Sequence, residues 1–278
     1  MTTLTFNMLL ATSEIPTADV RLLRHQDIGA MGQTPYNLWR DRPDQFELYQ
    51  ARQRLDRASY FKGQFWASFV VAPDGSTLFV GLYRIGEASL APAGELNPLT
   101  GCPLAYPCNR YETERVVEFD KFAGRLKIDW GDGTRSWVQK ADGVSGDKQI
   151  VELTKDFREP VFPGYARFIT NLSELPSLPA GWITALCASG GIYLLTCPKT
   201  KEQYVGSAYG EDGFWGRWQS YYATGHGGNV GLKSREPSDY QISILEVAGS
   251  TALPEDVIVI EQLWKNKLQS RDMGLNRN

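Results

Sequence analysis

Histidine is nearly absent from this chain of 278 residues: only His25 and His226 occur. Four cysteines, Cys102, Cys108, Cys187 and Cys197, accompany them, too few and too scattered to support a Cys/His zinc site. A Cys102–Cys108 bridge is conceivable, but free thiols in a reducing compartment are the simpler expectation. Basic charge is not in excess either, since 29 Lys and Arg against 32 Asp and Glu leave a net charge of −3. That argues against nucleic-acid binding through a generally basic surface. Any such contact must come from local patches, and it should weaken steeply with salt. No run approaches the ~18 apolar residues a membrane helix needs, and the N-terminus lacks the pattern of a secretory signal. A cytoplasmic protein with no membrane partner is expected.

What the chain does contain exceeds one ordinary core, so two domains are the default. Residues 1–62 read as helical. Thr17 can cap a short helix through Val20, Leu22 and Leu23, Thr34-Pro35 opens another, and 42–57 reads as a third. Arg52, Arg54, Arg57 and Lys62 cluster near its end. They read either as a solvated helix face or as phosphate contacts, for which arginine is suited.

From 63 to 170 the pattern changes to short strands. Pro73-Asp74-Gly75-Ser76 and Gly131-Asp132-Gly133-Thr134 are hairpin signals, and 87–107 reads as a long loop. A small barrel-like or sandwich domain is expected. Trp66, Phe69, Tyr83, Trp130, Trp137, Phe157 and Tyr165 should be mostly core. A minority could form a pocket that stacks a flipped base. The order of elements loosely resembles PUA-like reader barrels, with no residue motif behind that likeness.

Residues 171–182, with two prolines and spaced leucines, read as the linker. After it, Gly191-Ile192-Tyr193 and Tyr204-Val205-Gly206 lie on the two arms of a hairpin turned at Pro198 to Lys201. A helix from about Phe214 to Thr224 follows, stopped by Gly225. A third strand is expected over 240–247, then a helix that Pro254 opens and Gly274 ends. Arg217 and Tyr221 lie one helical turn apart on one face. The fold class is α+β: a small antiparallel sheet with helices over 183–278, preceded by the target-recognition region 1–170.

The two triplets, Arg217-x3-Tyr221, the helical Glu261 and the late Asn276, in that order, resemble the GIY-YIG nuclease superfamily over roughly the last third of the chain. Val205 replaces the isoleucine of the second triplet, and Tyr209 to Gly216 is a little longer than in compact members. The resemblance implies an α/β-sandwich nuclease domain and a divalent-metal-dependent phosphodiester hydrolase. Glu261 would hold Mg²⁺, or Mn²⁺ in its place, and Tyr204 would act as general base. Tyr193 and Tyr221 would orient water and phosphate, Arg217 would stabilise the phosphoryl charge, and Asn276 would buttress the site. His226, Asn229 and Lys265 are candidates for loop support or substrate contact.

A stand-alone restriction or defence-type DNA endonuclease follows, its N-terminal domain choosing the target, with a modified base among the options. Cutting both strands would require a homodimer or two binding events. An inactive DNA- or protein-binding adaptor and an RNA nuclease stay open.

Overall fold

Phe65–Val71 is buried along all but its last residue and forms β3 of the first of two compact units, Met1–Pro160 and Val161–Asn278. The computed structural model describes residues 3–27, 29, 33–92, 94–233 and 238–277. The first unit opens with α1 (Phe6–Thr12), β1 (Val20–His25), α2 (Pro35–Asp41), α3 (Pro43–Gln50) and β2 (Arg52–Arg54). After β3 come β4 (Thr77–Leu90), β5 (Cys108–Arg115), β6 (Leu126–Ile128), β7 (Val138–Lys140) and β8 (Ile150–Leu153). They build a curled eight-stranded mixed sheet in the order β2-β5-β4-β3-β1-β7, with β6 pairing β4 and β8.

The expected helical segment 1–62 is therefore only partly helical. Thr17 begins a single 3₁₀ turn, and Val20 to His25 is a strand. It runs parallel to β3 with Val20 beside Phe65 and antiparallel to β7, and this double pairing overrides its local pattern. Thr34 does cap α2, its hydroxyl accepting from the Asn37 N–H at 3.3 Å. The helix expected over 42–57 ends at Gln50, which places Arg52 and Arg54 on β2.

The β3–β4 hairpin forms as expected, but β4 continues to Leu90, into what read as a loop. The second hairpin does not form. β6 pairs β4 and β8 while β7 pairs β1, so 129–137 carries the chain between different strands. Phe6, Val20, Leu22, Phe69 and Phe79 form the core on one side of the sheet. Tyr36, Leu38, Phe46, Val70 and Val80 form that on the other, beneath α2 and α3. Of the seven aromatics, Trp66, Phe69, Tyr83 and Trp130 are buried, whereas Trp137 is half-buried and Phe157 exposed. Tyr165 belongs to the second unit.

That unit contains β9 (Ile169–Asn171), α4 (Ala180–Cys187), β10 (Gly191–Thr196), β11 (Gln203–Ala208), α5 (Gly213–Thr224), α6 (Val230–Lys233), β12 (Gln241–Val247) and α7 (Pro254–Lys267). The sheet order is β11-β10-β12-β9, all antiparallel. Segment 171–182 is not a linker. Its Leu172, Leu175, Leu178 and Trp182 are buried in the core of this unit, and Asn171 closes the edge strand β9.

Strand alternation gives the sheet two buried faces. Tyr193, Leu195, Tyr204 and Ala208 pack with Phe214, Trp218 and Tyr221 of α5. Ile192 and Val205 pack with Val257 of α7. Gly225 ends α5 at φ 74, donating its N–H to the Tyr221 carbonyl at 2.7 Å. The last helix starts at Pro254 as expected but stops at Lys267, seven residues before Gly274. All four cysteines are free thiols. Among the described residues no helix is long and apolar enough to cross a membrane.

Candidate functional site

β11 lies at an edge of its sheet, and the candidate residues converge around that edge. From one face come Tyr193, Tyr204 and the α5 side chains. From the other comes Glu261, one helical turn after Val257 on α7. Val205 meets Val257, so strand alternation turns the next odd residue, Ser207, toward Glu261 as well. The Ser207 hydroxyl donates to Glu261 Oε2. A cleft of ≈ 740 Å³ is lined by Tyr204, Ser207, Arg217, Asn229 and Glu261 together with the loop from Tyr209 to Gly213. The longer loop thus forms a wall and does not separate Tyr204 from Arg217.

Behind the cleft wall, two hydroxyls, a carbonyl and a guanidinium interlock. The Tyr193 and Tyr221 hydroxyls share a hydrogen bond of 2.9 Å. Arg217 donates from Nε to Tyr193 at 3.2 Å, from Nη2 to Tyr221 at 3.1 Å and from Nη1 to the Gly227 carbonyl at 3.1 Å. A guanidinium has five N–H donors, so two are left over from these three bonds. Gly206 sits opposite Tyr193 in the β10–β11 register. A Cβ at Gly206 would lie 2.5 Å from the Tyr193 hydroxyl, which explains the glycine of the second triplet.

The electrostatics follow from burial. Desolvation raises the Tyr193 and Tyr221 pKa values well above the ordinary phenol range. Tyr204 is raised too, first by burial and then by Tyr221 and the Glu261 carboxylate, while Arg217 opposes the shift. For Arg217 burial disfavours the charge, but the surrounding tyrosines outweigh it and hold the pKa above its usual value.

Asn276 is 1% exposed. Its Oδ1 accepts from the Val205 N–H at 2.9 Å and its Nδ2 donates to the Val205 carbonyl at 2.8 Å. With Leu275 N–H bonded to the Gln203 carbonyl at 2.8 Å, the C-terminal segment satisfies the open edge of β11. Lys265 pairs with Glu261 at 2.7 Å, its side chain fully buried, which removes it from direct reach of substrate. Nδ1 of His226 accepts from Gly228 N–H at 2.9 Å, and Asn229 Oδ1 accepts from Leu232 N–H at 3.2 Å. Both therefore hold the loop, and Asn229 also faces the cleft. Ser207 and the Gly227 carbonyl escaped sequence reading, although alternation from Val205 points to the first.

The four basic residues of the first unit do not act alike. Arg52 is buried in an ion pair with Glu95. Arg54 pairs with Asp56 at 2.6 Å and lies over the Tyr106 ring at 4.1 Å. Arg57 and Lys62 are exposed.

No family model, no curated protein and no solved structure matches this chain. Among the described residues no three His, Cys, Asp or Glu side chains group as a metal cage. A hard cation of the Mg²⁺ kind needs no such cage, because it keeps several waters and takes one or two carboxylates. Ser207 and Lys265 each occupy one lone pair of the Glu261 carboxylate. About two of its four acceptor sites remain, so the donor set at the cleft fits such an ion.

Proposed function

We propose that the second unit is a GIY-YIG-type nuclease and that the chain is a divalent-metal-dependent DNA endonuclease. The observation that carries this is the single cleft shared by Tyr204, Arg217 and Glu261, three side chains from separate elements. Glu261 would hold Mg²⁺ or Mn²⁺. When bound, such an ion polarises the phosphate and favours loss of nearby protons. Once its own phenolic proton has been lost to solvent, Tyr204 would accept the proton of the attacking water as the water oxygen bonds to phosphorus and the bond from phosphorus to the leaving oxygen breaks. Burial keeps its phenol protonated at rest, so the positive charge of Arg217 works in the direction the chemistry needs. The two free N–H groups of Arg217 bind the phosphoryl oxygens, while Tyr193, Tyr221 and the Gly227 carbonyl fix the plane of the guanidinium. Asn276 pairs the open edge of β11 at Val205, the residue after Tyr204.

A restriction or defence-type role, with the first unit selecting the target, is the reading that fits a nuclease domain preceded by a separate unit of its own. One such centre cuts one strand, so double-strand cleavage calls for a second copy. Nicking of supercoiled plasmid in Mg²⁺ tests the reading, with Glu261→Ala expected to abolish it. Absence of nicking on unmodified, methylated and hydroxymethylated DNA, in Mg²⁺ or Mn²⁺, would leave an adaptor. Cleavage of structured RNA alone would make the substrate RNA.

A further inference from the structure

Lys265 is buried on α7, its side chain 0% exposed, and its Nζ lies 2.7 Å from Oε1 of Glu261. A lysine is almost never fully buried unless it is paired. The two residues are four apart, so helical geometry stacks them on one face of α7. The other carboxylate oxygen, Oε2, accepts from the Ser207 hydroxyl of β11. Glu261 is thus held at both oxygens by the protein itself, and it also lines the cleft.

Stability does not call for such a pair. Two apolar side chains of similar volume serve a buried position as well or better, because taking both charges out of water offsets most of their attraction. What an ammonium does here that an apolar group would not is compensate the carboxylate. A divalent ion at Glu261 would meet a single negative charge already matched at 2.7 Å, with the Arg217 guanidinium on the wall of the same cleft. Glu211 and Asp212 line the cleft too, but they are exposed on its loop, where solvent and salt screen their charge. A hard cation of the Mg²⁺ kind is commonly held by one or two carboxylates together with substrate phosphates. With Lys265 in place the single carboxylate of Glu261 falls short, and a phosphate supplies the missing negative charge.

We infer that Lys265 is the resident counter-cation of Glu261: it lowers the affinity of the free protein for a divalent ion and so couples uptake of the ion to binding of a phosphodiester. The inference rests on the reading of Glu261 as the metal-holding residue and adds the control of that site. Lys265 is then a positioning residue, acting only through Glu261. The sign of its effect is diagnostic. A side chain that merely orients a metal ligand strengthens the site, and losing it costs about 10–100-fold in metal affinity. Losing a competing cation does the reverse.

The test is equilibrium uptake of Mn²⁺, read from the electron-resonance signal of the free ion and counted as the part that Glu261→Ala abolishes. It is run on the protein alone and with a short duplex at saturation, in a Tyr204→Phe background that keeps the duplex whole. Without duplex, Lys265→Met is expected to bind Mn²⁺ at least about tenfold more tightly than the lysine-bearing protein, the scale of effects at residues that contact a metal ligand. The duplex is expected to tighten uptake by the lysine-bearing protein about tenfold, an ordinary coupling between two ligands, and to add little in Lys265→Met. Should Lys265→Met fail to fold, the lysine-bearing protein with and without duplex decides alone.

Equal or weaker uptake by Lys265→Met overturns the inference. So does uptake by the lysine-bearing protein that the duplex leaves unchanged. Plasmid nicking by wild type in Mn²⁺, measured alongside, separates the two ideas. Nicking together with either of those results sinks the role of Lys265 alone, and the expected affinities without nicking of any DNA sink the nuclease alone.

Discussion

Burial holds the Tyr204 phenol protonated, with Tyr221 and Glu261 adding to the shift and Arg217 opposing it. A general base works only from its deprotonated form, so turnover should climb as pH rises into the alkaline range. Tyr204→Phe is expected to lower kcat by about 10²–10⁴, to flatten that pH profile and to spare DNA affinity. Equal losses in rate and binding, measured by single-turnover cleavage and by titration, would contradict the assignment. Arg217→Ala should cost about 10²–10³ in rate. His25 offers a separate check through stability. Burial depresses its folded pKa to about 3 from the ordinary imidazole value of about 6.5. Between those values the unfolded chain binds more protons, so stability is present above that window and is lost as pH falls through it. The slope should approach about 1.4 kcal/mol per pH unit. Denaturant midpoints from neutral pH downward should show this term in wild type and not in His25→Phe.

At the level of elements, α7 and β11 depend on each other through polar contacts that a sequence pattern barely signals. Glu261 and Lys265 lie four residues apart on α7, with 11% and 0% of their side chains exposed. Removing one member of a buried pair leaves an uncompensated charge, so Lys265→Met should destabilise the fold by roughly 3–5 kcal/mol. Glu261→Gln combined with Lys265→Met should recover most of that loss in chemical denaturation. Asn276→Leu strips the edge of β11 of two hydrogen bonds and leaves Val205 unsatisfied. An expected cost of about 1–3 kcal/mol per buried group should appear in the same measurement, together with slower turnover. The hairpin, α5 and α7 were legible from turn residues, glycine stops and the Pro254 start. Lys265 was not, because a lysine one turn from a glutamate reads equally well as an exposed pair.

For the whole molecule, the decisive difference between sequence and structure lies at the domain boundary. Prolines and leucines in 171–182 resemble a stiff connector, yet Leu172, Leu175, Leu178 and Trp182 are core residues and β9 pairs β12. A fragment beginning at Val161 should therefore unfold cooperatively in urea, whereas one beginning at residue 183 should not. Similar transitions for both fragments would contradict the packing described for β9 and its following turn. In the first unit, β1 illustrates the same limit. Val20, Leu22 and Leu23, which read as part of a short helix capped by Thr17, lie in a strand between β3 and β7, and only distant partners could decide that.

The residue types that can carry the chemistry, their order, and the local elements that present them were set by the sequence alone, because turns, caps and strand alternation act over a few residues. Tertiary structure alone decided that Glu261 and Tyr204 approach the same cleft around the edge of β11 from opposite faces. It also decided that His25 is buried among Phe46, Tyr49 and Trp137 with its Nε2 unpaired among the described residues. Both depend on contacts between elements far apart in the chain, which no local pattern encodes.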